Sequence, residues 1–98
     1  MNREERRIAQ YFEDMGLPLN EGAFRDFNNV EKRRLERLSE RMHWLHERLV
    51  SRQSPTPSKF RLEKDEFRAL EWIMWEMGLI DGEYEKLYLG HFNDDEGD

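Results

Sequence analysis

The segment MHWLHERL (residues 42–49) gathers the residue types that most often do chemistry. His43, His46 and Glu47 could hold a zinc ion and activate a water if a helix presented them together. The order here is H-x-x-H-E, which is neither the H-E-x-x-H nor the H-x-x-E-H arrangement of zinc peptidases. On a helix, His43 and His46 would point about 60° apart, and the third histidine of the chain, His91, is far away in sequence. A solvated His43–Glu47 pair is the simpler expectation, with no metal and no cofactor.

Other catalytic patterns are missing from the sequence. There is no Gly-rich phosphate loop and no G-x-S-x-G, and no serine stands in a recognisable relation to a histidine. Asp and Glu number 22 in 98 residues, too many for any two to be singled out as acid and base. No catalytic residue is assigned, and the expectation is a protein that is not an enzyme. Ser54-Pro55 and Thr56-Pro57 have the form of proline-directed phosphorylation sites, but a loop joining two helices accounts for them.

Arginine and tryptophan carry more information. Placed on a helix over 30–52, Arg33, Arg34, Arg37, Arg41, Arg48 and Arg52 fall within about 100° of arc, with Trp44 among them. A guanidinium stripe with an embedded aromatic can bind phosphates or a carboxylate-rich protein surface. The competing reading is that these arginines pair with the chain's own acids while their stems shield the neighbouring apolar seam. The segment LEWIMWEMG (70–78) crowds Trp72, Ile73, Met74, Trp75 and Met77 together. Phe67, Leu70, Ile73, Met74 and Met77 cover about 120° and are expected to face the core. Trp72 and Trp75 lie beyond that face, past Glu71, and are available to a third helix or to a partner. The expected partner-binding residues are therefore Trp72, Trp75, Arg37, Arg41, Trp44 and Arg48.

The elements that must position these side chains are legible. Asn2 and Glu5 have capping-box spacing and Gly16 is a natural stop, which predicts a helix over 3–15. A connector with Pro18, Asn20 and Gly22 follows, with room for one helical turn and with Phe24 and Phe27 turned inward. Leu35, Leu38, Met42, Leu45 and Leu49 step by three and four, a two-heptad seam that predicts the 30–52 helix with Asn29 as its cap. SPTPS (54–58) ends it, since the residue before a proline is pushed out of the helical region. A third helix is predicted over 63–77, stopping at Gly78, and Asp81 can cap a fourth over 82–89. Asp81-Gly82 also suits a hairpin turn, so 79–90 is open between helix and hairpin, with the Tyr84, Leu87, Tyr88 spacing favouring helix. The fold class is all-α: a small helical bundle of about four helices (3–15, 30–52, 63–77, 82–89) around an antiparallel helical pair.

Composition sets the outer bounds. The apolar fraction is 37% and the charged fraction 39%, against usual values of about 45–50% and 25%. A core this thin would gain from burying more surface against a partner or a second copy. The expectation is one helical domain over 1–92 and a disordered acidic tail over 93–98. Residues 1–53 carry a net +1 and residues 54–98 a net −7, which together give the net charge of −6. The acids of 63–85 scatter around their helices, against mimicry of a nucleic acid's phosphate rows. There are no cysteines, the start lacks a signal-peptide core, and no run has the roughly 18 apolar residues of a membrane span. A cytoplasmic protein with no membrane contact is expected.

The functional expectation is a small non-enzymatic protein-binding module, an inhibitor or regulator that docks on a larger protein. Small, acidic, cysteine-free domains of this composition are common among phage-encoded inhibitors of host enzymes and of defence systems. That remark is compositional, and no family motif is present. The alternative is a dimeric nucleic-acid-binding regulator using the arginine stripe, against which the acidic balance counts. A self-assembling helical protein is a third reading, and a homodimer is compatible with all three.

Overall fold

The computed structural model describes residues 1–82. Among them the chain is all-α: α1 (Arg3–Met15), a short 3-10 helix (Glu21–Asp26), α2 (Asn29–Val50) and α3 (Pro57–Glu76). The predicted 82–89 helix, the hairpin alternative and the acidic tail lie outside the described residues, apart from 79–82.

Capping chemistry explains where each helix starts. The Asn2 side chain accepts from the Glu5 amide at 2.8 Å, and the Glu5 carboxylate accepts from the Asn2 amide at 3.1 Å. Asn28 and Glu31 make the same reciprocal pair at the head of α2, both bonds at 2.8 Å. The cap is thus Asn28, one residue earlier than the expected Asn29. Helix α3 begins at Pro57, six residues before the expected start. Thr56 is extended (φ −139°, ψ 160°), as a residue preceding proline should be, and it uses that conformation to cap the helix through its hydroxyl. Pro57 takes the first helical position, where its missing N–H costs nothing. The second proline of SPTPS starts a helix instead of prolonging a loop.

All three helices end in the same way. Leu17, Gln53 and Leu79 donate back to the carbonyls of Phe12, Arg48 and Met74, and the residue before each sits in the left-handed region. Gly16 (φ 73°) and Gly78 (φ 84°) do this without strain, whereas Arg52 (φ 55°) does it with a side chain. Its guanidinium lies 5.0 Å from the centroid of Phe60.

Ion pairs give the helix directions. Glu5 meets Lys32 and Arg7 meets Glu36, both at 2.7 Å, while Asp14 meets His43 at 3.3 Å. The numbers climb together, so α1 runs parallel to α2. Arg41 meets Glu66 at 2.8 Å and Arg48 meets Glu63 at 2.9 Å, with numbers running oppositely. The α2–α3 pair is therefore antiparallel, as the sequence implied. A parallel α1 needs a return path, and residues 16–28 supply it, burying Leu17, Ala23 and Phe24 on the way. This connector is tied to the end of α3. The Asn20 amide donates to the Leu79 carbonyl at 2.8 Å and the Asp81 amide to the Pro18 carbonyl at 3.0 Å, around an isolated antiparallel bridge of Leu19 with Ile80.

One core results, with Ile8 and Phe12 from α1, Leu35, Met42, Leu45 and Leu49 from α2, and Phe67 and Met74 from α3, closed by Leu79 and Ile80. Burial of each such side chain contributes about 1.5–3 kcal/mol. The buried face of α3 differs from the expected one. Ile73 is 41% exposed, while Glu63, Lys64, Arg68 and Glu71 are buried. The reason is geometric. Phe60, Phe67 and Met74 recur every seven residues and face the core, which turns Ile73, about 100° from Met74, outward. Glu71, expected to mark the edge of that face, lies inside it.

Candidate docking surface

The outer side of the α2–α3 pair collects most of the residues singled out from sequence. Trp44 stands 45% exposed on α2, with the Arg41 guanidinium 4.6 Å and the Arg48 guanidinium 4.7 Å from its ring centroid. Helical spacing explains the sandwich: Arg41 and Arg48 lie three residues before and four after Trp44, on the same face. Each such contact at an exposed ring contributes about 0.5–1 kcal/mol. Together they hold the exposed indole in place with two guanidiniums over its ring.

Both arginines also reach across to α3. Arg41 donates through Nε and Nη2 to the Glu66 carboxylate at 2.8 and 2.9 Å. Arg48 donates through Nε to both oxygens of Glu63 at 3.1 and 3.0 Å, and Ser54 Oγ donates to the same carboxylate. These bonds hold the Glu66 and Glu63 carboxyls below the usual carboxylate range. Glu66 in turn raises the Arg41 guanidinium.

Further along the pair the chemistry changes. Arg33, Arg34 and Arg37 are exposed and form no ion pair among the described residues. Arg41 is level with Glu66 and Arg48 with Glu63, so these three arginines are level with the last turns of α3. There the outward residues are Ile73 and Glu76, with Trp72 at the outer edge about 100° from Ile73. Trp72 is 49% exposed. Trp75 is placed differently. It is partly buried against the core and its indole Nε1 donates to the Gly82 carbonyl at 2.7 Å.

The structure thus brings Arg37, Arg41, Trp44 and Arg48 onto one ridge, sets Trp72 on the far edge of the neighbouring helix, and turns Trp75 inward. Arg33 and Arg34 belong to the stripe read from sequence but were not among the expected partner-binding residues, and Ile73 was expected in the core. What sets these arginines apart is the antiparallel register, fixed by packing, which puts no carboxylate of α3 on the α2-facing side at their height. Ile73 gave no signal, since its spacing from Leu70 and Met77 reads as core.

No protein-family model, curated protein or solved structure matches this chain. Chemistry alone has to say what this surface binds.

Elsewhere the molecule offers less. The His43 Nε2 lies 3.3 Å from Asp14 and 3.8 Å from Glu47, with the Tyr11 ring tilted against the imidazole at 5.2 Å between centroids. His46 points instead toward Phe67, and burial lowers its pKa. No three His, Asp or Glu side chains gather into a metal-binding group among the described residues. An open hollow of about 400 Å³ between α1, the 3-10 helix and α2 is lined by Glu5, Phe24, Arg25 and Lys32. Its central charges, Glu5 and Lys32, already neutralise each other at 2.7 Å. Among the described residues no helix is long and apolar enough to cross a membrane.

Proposed function

We propose that the protein is a non-enzymatic binding module, an inhibitor or regulator that docks on a larger protein through the outer face of α2 and α3. The observation that carries this reading is the exposed Trp44, clamped between Arg41 and Arg48, continuing into three arginines that no carboxylate of the described chain neutralises. Held tryptophans and arginines are the side chains most enriched among interface hot spots. Trp44 and Trp72 would be apolar anchors and Arg37 a polar contact, while Arg41 and Arg48 act by orienting Trp44. Trp75 supports the turn after α3 and leaves the set of anchors.

The test is affinity capture with the wild-type protein, followed by direct titration of the captured partner. Trp44→Ala should weaken the complex by about 2 kcal/mol, a thirtyfold change in Kd, and Arg37→Glu should weaken it further. Equal affinity of wild type and both variants would overturn the assignment of this face.

The unneutralised arginines also support the second reading, a nucleic-acid-binding regulator. Phosphate binding would show a steep loss of affinity with salt, abolished by Arg33→Glu together with Arg37→Glu. The apolar Ile73 beside those arginines favours a protein partner over a phosphate backbone.

A further inference from the structure

The two outward rows of this face are complementary to each other. On α2 the row reads Arg33, Arg37, Glu40, Trp44. On α3 it reads Glu76, Ile73, Asp65, Leu62. Glu76 and Asp65 are exposed and, like Arg33 and Arg37, form no ion pair among the described residues. Within one molecule the two rows lie side by side and point the same way, so they do not meet. In a second copy turned over to face the first, they would.

We propose that the resting occupant of this face is a second copy of the same chain, related by a two-fold axis parallel to α2 and α3. Such an axis lays α2 of each copy over α3 of the other. It moves no residue along the helix direction, so the register between copies is the one already measured within the hairpin. Arg41 is level with Glu66 and Arg48 with Glu63. Continuing that register, Arg33 falls on Glu76 of the second copy and Arg37 on Trp72 and Ile73. Trp44 falls between Asp65 and Leu62, which is 65% exposed. Cation meets acid at one end, cation meets indole in the middle, and indole meets leucine at the other end.

Because the interface is isologous, every contact occurs twice. Arg41, Arg48, Glu63 and Glu66 are neutralised within each copy and form the neutral middle strip, and the exposed Glu40 falls on the small Ala69. The small Ala69 lies on the outward face of α3 between Leu62 and Glu76 and lets the helices approach. The pairing covers the apolar side chains that a thin core leaves outside. It also closes the docking face, so dissociation into monomers precedes capture of another protein. The inference itself does not depend on that reading, since it concerns the protein alone.

The decisive experiment is a charge swap followed by sedimentation equilibrium from 1 µM to 1 mM at about 0.05 and 0.5 M salt, wavelengths chosen to read the protein alone. The wild type should form dimers that weaken at the higher salt. Arg33→Glu and Glu76→Arg should each raise the dimer Kd at least tenfold, with helix content unchanged by circular dichroism. The double variant should return to within about threefold of wild type, because the pair is restored with its signs exchanged. A wild type that stays monomeric throughout would overturn the proposal, and so would a double variant no better than either single one. Partner binding through Trp44 by a protein that never dimerises would sink this inference and leave the docking proposal standing.

Discussion

The outer face of the α2–α3 pair has two halves built from the same residue types and finished differently. Near the proline-containing loop, Arg41 and Arg48 each find a glutamate across the helix pair, and Trp44 settles between them. Towards the start of α2, Arg33, Arg34 and Arg37 stand beside Ile73 without one. An arginine stripe is therefore not a single functional unit. Whether an arginine is structural or available depends on whether the antiparallel partner carries an acid at the same height. Glu63 and Glu66 supply this for one half, and Ile73 and Met77 occupy the corresponding places in the other.

Beneath the halves lies a second contrast. Glu63 and Glu71 are both buried on α3, eight residues apart. The bonds from Arg48 and Ser54 lower the Glu63 carboxyl. Burial pushes the Glu71 carboxyl up to about 7, against the opposing charge of Arg68. One half thus stabilises a carboxylate and the other a carboxylic acid.

Four experiments would break or sharpen this comparison. The largest effect comes from the core common to both halves. Phe67→Ala should cost about 3–5 kcal/mol in urea unfolding, and a loss under 1 kcal/mol would mean that the halves are not held by one core. Next is Arg48→Met, which leaves the Glu63 carboxylate, with a side chain only 6% exposed, without its cation. A loss of about 2–3 kcal/mol is expected, while Arg41→Met in the more exposed pair should lose under about 1 kcal/mol.

The third is a pH series. A folded-state pKa raised above the unfolded value gives Glu71 a stabilising contribution that is fully present below about pH 4.3 and lost as pH rises from there through about 7. Stability should fall on the order of 1–3 kcal/mol over that range, and Glu71→Gln should remove the fall and be the more stable protein at pH 8. Glu63 works in the opposite sense, with its contribution lost as pH drops through its lowered value, so Glu63→Gln should flatten the acid side alone. A Glu71→Gln profile identical to wild type would show that the acid is not held protonated. The smallest effect is Arg37→Met, expected to change stability by less than about 0.5 kcal/mol. A larger loss would mean that the open half is braced by contacts like those of the closed one.

Much of the architecture could be read in advance. The reciprocal caps of Asn2 with Glu5, the stop at Gly16, the leucine seam of α2 and the antiparallel α2–α3 pair rest on spacing and on local hydrogen bonds, which the chain carries wherever it goes. The docking surface was legible only in part. Trp44 and the arginines could be named as one stripe, but nothing local divides Arg48 from Arg37. Trp72 and Trp75 looked equivalent until Gly82 offered its carbonyl to one of them.

The sequence by itself determined which segments are helical, because propensity, caps and periodicity act within a few residues. It also determined that α2 would have a leucine side and an arginine side. Tertiary structure alone decided which face of α3 is buried, since Phe60, Phe67 and Met74 had to meet the seam even though this brought Glu63 and Glu71 inside and left Ile73 out. It alone decided that α1 runs parallel to α2, because the long connector permits either direction and the ion pairs and the Leu19–Ile80 bridge select one. And it alone divided the arginines into those already satisfied and those still available, for an ion pair needs two groups at one height, and height is a property of packing.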